Sequence, residues 1–154
     1  MAVKSDSFQD VSLRNPALWK RRKMMNTSKE AAEMHLRAIS EREVEAYRQT
    51  MNFPFTYQNY NGVALTIENA ADVDVSARLP WEIILSTDPN WHHSELEFLE
   101  EVARSESSAV FKVGFCRVDA SGHAYGSYLA IWIATCRNGR WGVQFRHNLG
   151  KFVS

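Results

Sequence analysis

The stretch from Ser107 to Leu149 constrains this chain most, because its apolar residues recur at every second position through three long runs. The first run carries Ala109, Phe111, Val113 and Phe115, the second Leu129, Ile131 and Ile133. The third carries Trp141, Val143, Phe145 and His147. A strand sends successive side chains to opposite faces, so each run predicts a strand with one apolar side. Ser121-Gly122 and Asn138-Gly139 separate the runs and supply the glycine that a tight turn needs. The pattern predicts an antiparallel meander.

Turn length decides which faces meet, because a slip of one residue moves every side chain to the other face. Three-residue loops with Gly122 or Gly139 in the left-handed position set Phe111 and Val113 opposite Ile131 and Leu129. The same loops set Ile133, Ile131 and Leu129 opposite Val143, Phe145 and His147, so one face becomes almost wholly apolar. A two-residue turn at Asn138-Gly139 would place Gln144 and Arg146 among the isoleucines, and the longer loop is preferred. The reverse face then holds Tyr128, Trp132 and Arg146. Its aromatic pair is too large and apolar for solvated positions, so a second copy of the sheet is the expected cover, with these three residues in a homodimer interface.

At 154 residues and 45% hydrophobic, the chain suits one domain with a real core. Its 18 basic residues match 18 acidic ones, which argues against nucleic acid as the main partner. The basic run from Lys20 to Lys23 reads as a solvated flank. Cys116 and Cys136 are too few for a disulfide framework and read as buried free thiols. No apolar run approaches the roughly 20 residues that span a bilayer, and the N-terminus lacks the apolar core of a signal peptide. A cytoplasmic protein without membrane contact is the expectation.

Residues 1–26 read as an arm and residues 27–150 as the folded domain. Thr27 with Glu30 forms a capping box that opens a helix carrying Ala31, His35, Ala38 and Ile39 on one stripe. Ser40 with Glu43 forms a second box, so a bend is expected at Ser40, before a helix presenting Val44, Tyr47 and Met51. Pro54 should end the helical pattern. Strands at Phe55 to Tyr60 and Val63 to Ile67 flank an Asn61-Gly62 turn, and Asn69 can cap a third helix that ends near Pro80. A fourth meander strand runs from Trp91 to Arg104, with Leu96, Phe98, Glu100 and Val102 on one face.

This order, with the Asn-Gly-Arg-Trp-Gly-Val turn at residues 138–143, resembles the nuclear transport factor two-like superfamily. SnoaL-like polyketide cyclases, ketosteroid isomerase, scytalone dehydratase and limonene epoxide hydrolase are among its members. The resemblance implies a cone-shaped α+β domain, a curved antiparallel sheet wrapped around three N-terminal helices, with a deep pocket at its open end. It also implies dimers through the outer sheet face. The superfamily hosts enzymes and noncatalytic binding proteins alike, so the fold alone does not choose a function.

The choice falls to polar side chains expected inside the cone. Glu100 sits in an otherwise apolar set, where a raised pKa would suit a general acid or base, although a bulge would turn it outwards. His147 ends the apolar face of the last strand and could move a proton near neutral pH. His35 aligns by element with the oxyanion-binding tyrosine of ketosteroid isomerase. Tyr57 and Tyr60 lie where that enzyme carries its catalytic aspartate. Here Tyr57-Gln58-Asn59-Tyr60 holds no carboxylate, which leaves Tyr57 to donate a hydrogen bond to a ligand oxygen.

Arg117 shares the parity of Phe111, and with Tyr60, Trp81 and Phe111 it makes the expected ligand-binding set. His92 and His93 should point to opposite faces and lack a third ligand, so neither metal nor cofactor is expected. A glycine-rich phosphate loop, a nucleophile elbow and cysteine pairs at zinc spacing are absent from the sequence. The leading expectation is a cofactor-independent enzyme moving a proton on a small apolar, oxygen-bearing molecule. Glu100 or His147 would move the proton while Tyr57 and His35 polarise the oxygen. The alternative is a noncatalytic ligand-binding or assembly module.

Overall fold

A computed structural model of the chain describes residues 26–75 and 77–153; the expected arm, with its basic run, lies outside them. Helix α1 (Ser28–Glu41) begins as its capping residue dictates, with Thr27 Oγ1 accepting the Glu30 N–H at 3.1 Å. It buries Ala31, Ala32, His35, Leu36, Ala38 and Ile39. No bend occurs at Ser40, because that hydroxyl serves the sheet instead. It donates to the Ser94 carbonyl and accepts the Ser94 N–H, each at 3.0 Å. Arg42, at φ 58°, ends α1 in the left-handed conformation, and helix α2 (Val44–Gln49) follows with Tyr47 buried.

Strand β1 (Met51–Asn59) starts before Pro54, so that proline stands inside a strand rather than at a helix end. It pairs with β2 (Ala64–Ile67), setting Phe55 opposite Ile67. The helix expected after Asn69 is only a 3-10 turn, Ala70–Asp72, and the third helix, α3, spans Pro80–Thr87. Proline is favoured at the first position of a helix, where its missing N–H would be unbonded anyway. Pro80 opens a helix that the sequence reading took it to close. Among the described residues no helix is long and apolar enough to cross a membrane.

The remaining strands are β3 (His93–Arg104), β4 (Ser108–Val118), β5 (Ala124–Arg137) and β6 (Arg140–Lys151). They form one sheet in the order β2-β1-β6-β5-β4-β3. Only β1 and β6 run parallel, so the sheet is mixed rather than wholly antiparallel. Helix α1 packs across β3, β5 and β6, which gives the expected α+β arrangement of a curved sheet on helices.

Single-residue bulges decide which face is inside. Beside the 119–123 loop the expected register holds, with Arg117 opposite Tyr125. Gly126 then stands unpaired at φ 65°, and pairing resumes at Cys116 and Ser127. From there Phe111 faces Trp132 and Val113 faces Ala130, the reverse of the expected parity. At the next hairpin the two-residue turn does occur, with Asn138 and Gly139 at φ 54° and 74°, which suits the twist of flanking strands. The mismatch that argued against it is absorbed by a bulge at Gln144, which sets Phe145 opposite Ile133, where Val143 was expected, and His147 opposite Ile131. Bulges at Glu97 and Val102 reset β3 in the same way.

Strand β4 and the start of β6 therefore keep the faces expected of them, whereas β5, β6 beyond Gln144 and β3 between its two bulges are reversed. Phe111, Val113, Tyr128, Ala130, Trp132, Ala134, Val143 and Arg146 lie inside. Leu129, Ile131, Ile133, Phe145 and His147 lie on the outer face beside Lys112 and Glu100. Tyr128, Trp132 and Arg146 are 8%, 3% and 8% exposed, so none of them is open to a dimer partner.

Candidate functional site

The inner sheet face and the helices enclose a cavity of about 80 Å³. A water needs roughly 10–15 Å³ by the same measure, so the cavity admits a small molecule. Leu36 and Ile39 of α1, Ile83 and Ile84 of α3, and Phe55, Tyr57, Leu65 and Ile67 of the β1–β2 hairpin form most of its wall. The sheet contributes Phe115, Arg117, Ala130, Trp132, Arg146 and Asn148. No carboxylate and no imidazole is among the described residues that line it.

Arg146 dominates the electrostatics. It sits mid-strand on β6, between Trp132 of β5 and Tyr57 of β1. Its guanidinium carbon lies 5.0, 5.3 and 5.8 Å from the ring centres of Tyr57, Phe55 and Tyr47, within reach of cation–π attraction. Nη2 donates to Tyr47 Oη at 3.1 Å. Burial pushes the Tyr47 phenol up, outweighing the pull of the Arg146 charge, so Tyr47 accepts as a neutral group. Among the described residues no carboxylate pairs with Arg146, and its Nε has no partner.

Arg117 makes the contrast. Its Nη1 donates to Asp88 Oδ2 at 3.0 Å, and the Tyr125 hydroxyl donates to the same oxygen at 2.7 Å. Burial works to raise the Asp88 carboxyl, but the bonds from Tyr125 and Arg117 hold it below its usual value. Tyr125 is pushed up to about 12 by burial and by that bond. Arg117 also lies 4.5 Å over the Tyr128 ring. It lines the cavity, but its charge is already answered.

The expected proton-transfer residues do not converge on this space. Glu100 pairs across the strands with Lys112 on the outer face, 4.0 Å away, and its side chain is 61% exposed. The Glu97 bulge turned it there. His147 stands on the same outer face opposite Ile131, with Nδ1 3.0 Å from Gln58 Oε1. His35 is fully buried, its ring against Tyr47, Phe55 and Trp132, and is not part of the cavity wall. Nδ1 lies 2.7 Å from Thr50 Oγ1, while burial and then the Arg146 charge push His35 well below 6.5. It is a neutral core histidine.

Of the other expected residues, Tyr57 lines the cavity. Phe111 and Trp81 are buried in the core beside it, and Tyr60 is 62% exposed over Gly150. His92 and His93 do not diverge; their Nδ1 atoms lie 2.9 Å apart and His93 reaches Glu95. Among the described residues no cluster of metal-ligating side chains forms. Among the polar wall residues, sequence reasoning passed over Tyr47, Arg78, Ser94 and Asn148 and set Arg146 on the outer face. Asn148 had a signal, since it shares a strand face with Arg146 two residues away.

No family model matches the chain, and no curated protein does. Solved structures do. A protein of unknown function with a cystatin-like fold from Nostoc punctiforme is 15% identical at a TM-score of 0.60, covering 81% of this chain and 93% of its own. A nuclear transport factor two-like protein with a cystatin-like fold from Novosphingobium aromaticivorans is 11% identical at 0.56, covering 91% and 87%. A ketosteroid isomerase-like protein from Erwinia carotovora is 15% identical at 0.54, covering 82% and 95%. With this sheet order, its helices on the inner face and a pocket between them, the chain has the nuclear transport factor two-like fold.

Proposed function

We propose that this protein binds a small apolar molecule in the cavity without transforming it. The observation that supports the reading is the wall itself, aliphatic and aromatic with no carboxylate or imidazole among its described residues. Proton-transfer catalysis needs an acid or base within hydrogen-bond reach of the substrate. Tyr57 and Arg146 offer a phenol and a guanidinium, donors that can hold a ligand oxygen. Octanamide and phenylbutyramide are suitable neutral probes. Either should change tryptophan emission saturably, with most of the change lost in Trp132→Phe, and should be recovered unaltered. Absence of a saturable change would sink the reading, and conversion of a bound molecule would restore an enzyme.

The homodimer moves to a different surface. With Tyr128, Trp132 and Arg146 inside, the outer row of Leu129, Ile131, Ile133 and Phe145 is the apolar face left half-covered, and Phe98 beside it is exposed. Sedimentation equilibrium should find a dimer that Ile131→Lys splits. A wild-type monomer at micromolar concentration would remove the proposal.

A further inference from the structure

We propose that Arg146 is the seat for the carboxylate of an amphipathic monoanion whose apolar body fills the cavity. The proposal rests on the pocket reading above and names the class of ligand.

An arginine keeps its charge in folded proteins, and a buried ion without a partner is costly. Arg146 is in that condition: it is 8% exposed, lines the cavity, and meets no carboxylate among the described residues. Three aromatic rings and the Tyr47 hydroxyl compensate part of the cost. No described residue accepts a hydrogen bond from Nε or Nη1. Two residues along β6, Asn148 lines the same cavity with its amide oxygen unpartnered, and its amide N–H groups are further donors. Tyr57 adds a hydroxyl to the same wall. Among the described residues, the cavity wall is rich in donors and lacks an anionic acceptor.

Charge and shape narrow what supplies it. A neutral carbonyl would accept hydrogen bonds but leave the charge unanswered. A phosphate dianion would bring two charges to a single buried cation among the described wall residues, because Arg117 is already held by Asp88 and Arg78 is exposed to solvent. A carboxylate matches the guanidinium in charge and offers two coplanar oxygens to its fork. The rest of the wall, Leu36, Ile39, Ile84 and Phe115 among others, suits a hydrocarbon body.

The test compares acids with their own amides, octanoate with octanamide and phenylbutyrate with phenylbutyramide, by calorimetric titration of the whole protein. The acids should bind about 10- to 100-fold more tightly than the amides. Arg146→Met should abolish the preference for acid over amide, weakening the acids far more than the amides, and Arg146→Lys should keep part of the preference. The wild-type comparison stands whether or not either variant folds. Equal binding of acid and amide would overturn the carboxylate seat and leave the pocket reading intact. No binding of either would overturn both. Tighter binding of octyl phosphate than of octanoate would overturn the monoanion class. Loss of the acid preference in Arg78→Gln would place the anion at that exposed wall residue and overturn the assignment to Arg146.

Discussion

The inner and outer faces of this sheet divide polar and apolar residues against habit. Inside, aromatic side chains surround a guanidinium with no described counter-ion, beside a cavity. Outside, Ile131 and Ile133 lie half-covered, while the charged Glu100 and Lys112 answer each other and His147 has Gln58. A face built only for stability would fill the cavity and keep the charge in water, because both features cost free energy. The inner face gives up packing for a site, and the outer face keeps the aliphatic surface that packing would have used. The comparison can be broken where it makes its strongest claim. Trp132→Ala, inside, should cost about 3–5 kcal/mol, whereas Ile131→Ala, outside, should cost well under half of that. Urea unfolding midpoints would check this, and equal losses would show that the outer face is core after all.

Much of the architecture was readable. The alternation across residues 107–149, the Thr27 cap and the Asn61-Gly62 hairpin all reported local preferences that tertiary packing left alone. The orientation of the sheet was not readable from alternation, because both sets of alternating residues are apolar enough to be core. Isoleucines look more like core than a Tyr-Ala-Trp-Ala series, but α1 presents Ala31, Ala32 and Ala38, small residues that leave room for Trp132. Gly126, isolated inside a strand pattern, was the available sign of the bulge that reversed parity. That bulge and the one at Gln144 put His147 and Arg146 on the sides opposite to those assigned, and the separate bulge at Glu97 did the same for Glu100. Pro80 misled for another reason, since proline marks a helix start as readily as an end.

A second prediction concerns the inner face under acid. His35 has a folded pKa well below 6.5, because burial and then Arg146 disfavour its charged form. Above pH 6.5 both folded and unfolded chains hold it neutral, and its contribution to stability is fully present. As pH falls below 6.5 the unfolded chain takes up a proton that the folded chain refuses. Stability should then drop by up to about 1.4 kcal/mol per pH unit until the folded pKa is reached. His35→Gln should flatten that slope relative to wild type in urea titrations between about pH 7.5 and 5.5. Parallel slopes in wild type and His35→Gln would mean that His35 titrates in the folded protein much as it does unfolded.

The smallest effect belongs to Glu100, the residue on which an enzymatic reading leaned most. Its partner Lys112 is 4.0 Å away; the Glu100 side chain is mostly in solvent and that of Lys112 partly so. Exposed pairs of this kind contribute about 0–1 kcal/mol, because water screens the attraction and ordering two long side chains costs entropy. Glu100→Gln should therefore move the unfolding midpoint by no more than about 0.5 kcal/mol in free energy. It should leave the affinity for octanoate untouched, since the strand separates its carboxylate from the cavity. The same substitution would be severe if the Glu97 bulge could shift and rotate Glu100 inwards, where it would pair with Arg146 and compete with an acidic ligand. Glu100→Gln would then strengthen octanoate binding, so an unchanged affinity keeps this carboxylate on the outer face and an increase brings it inside.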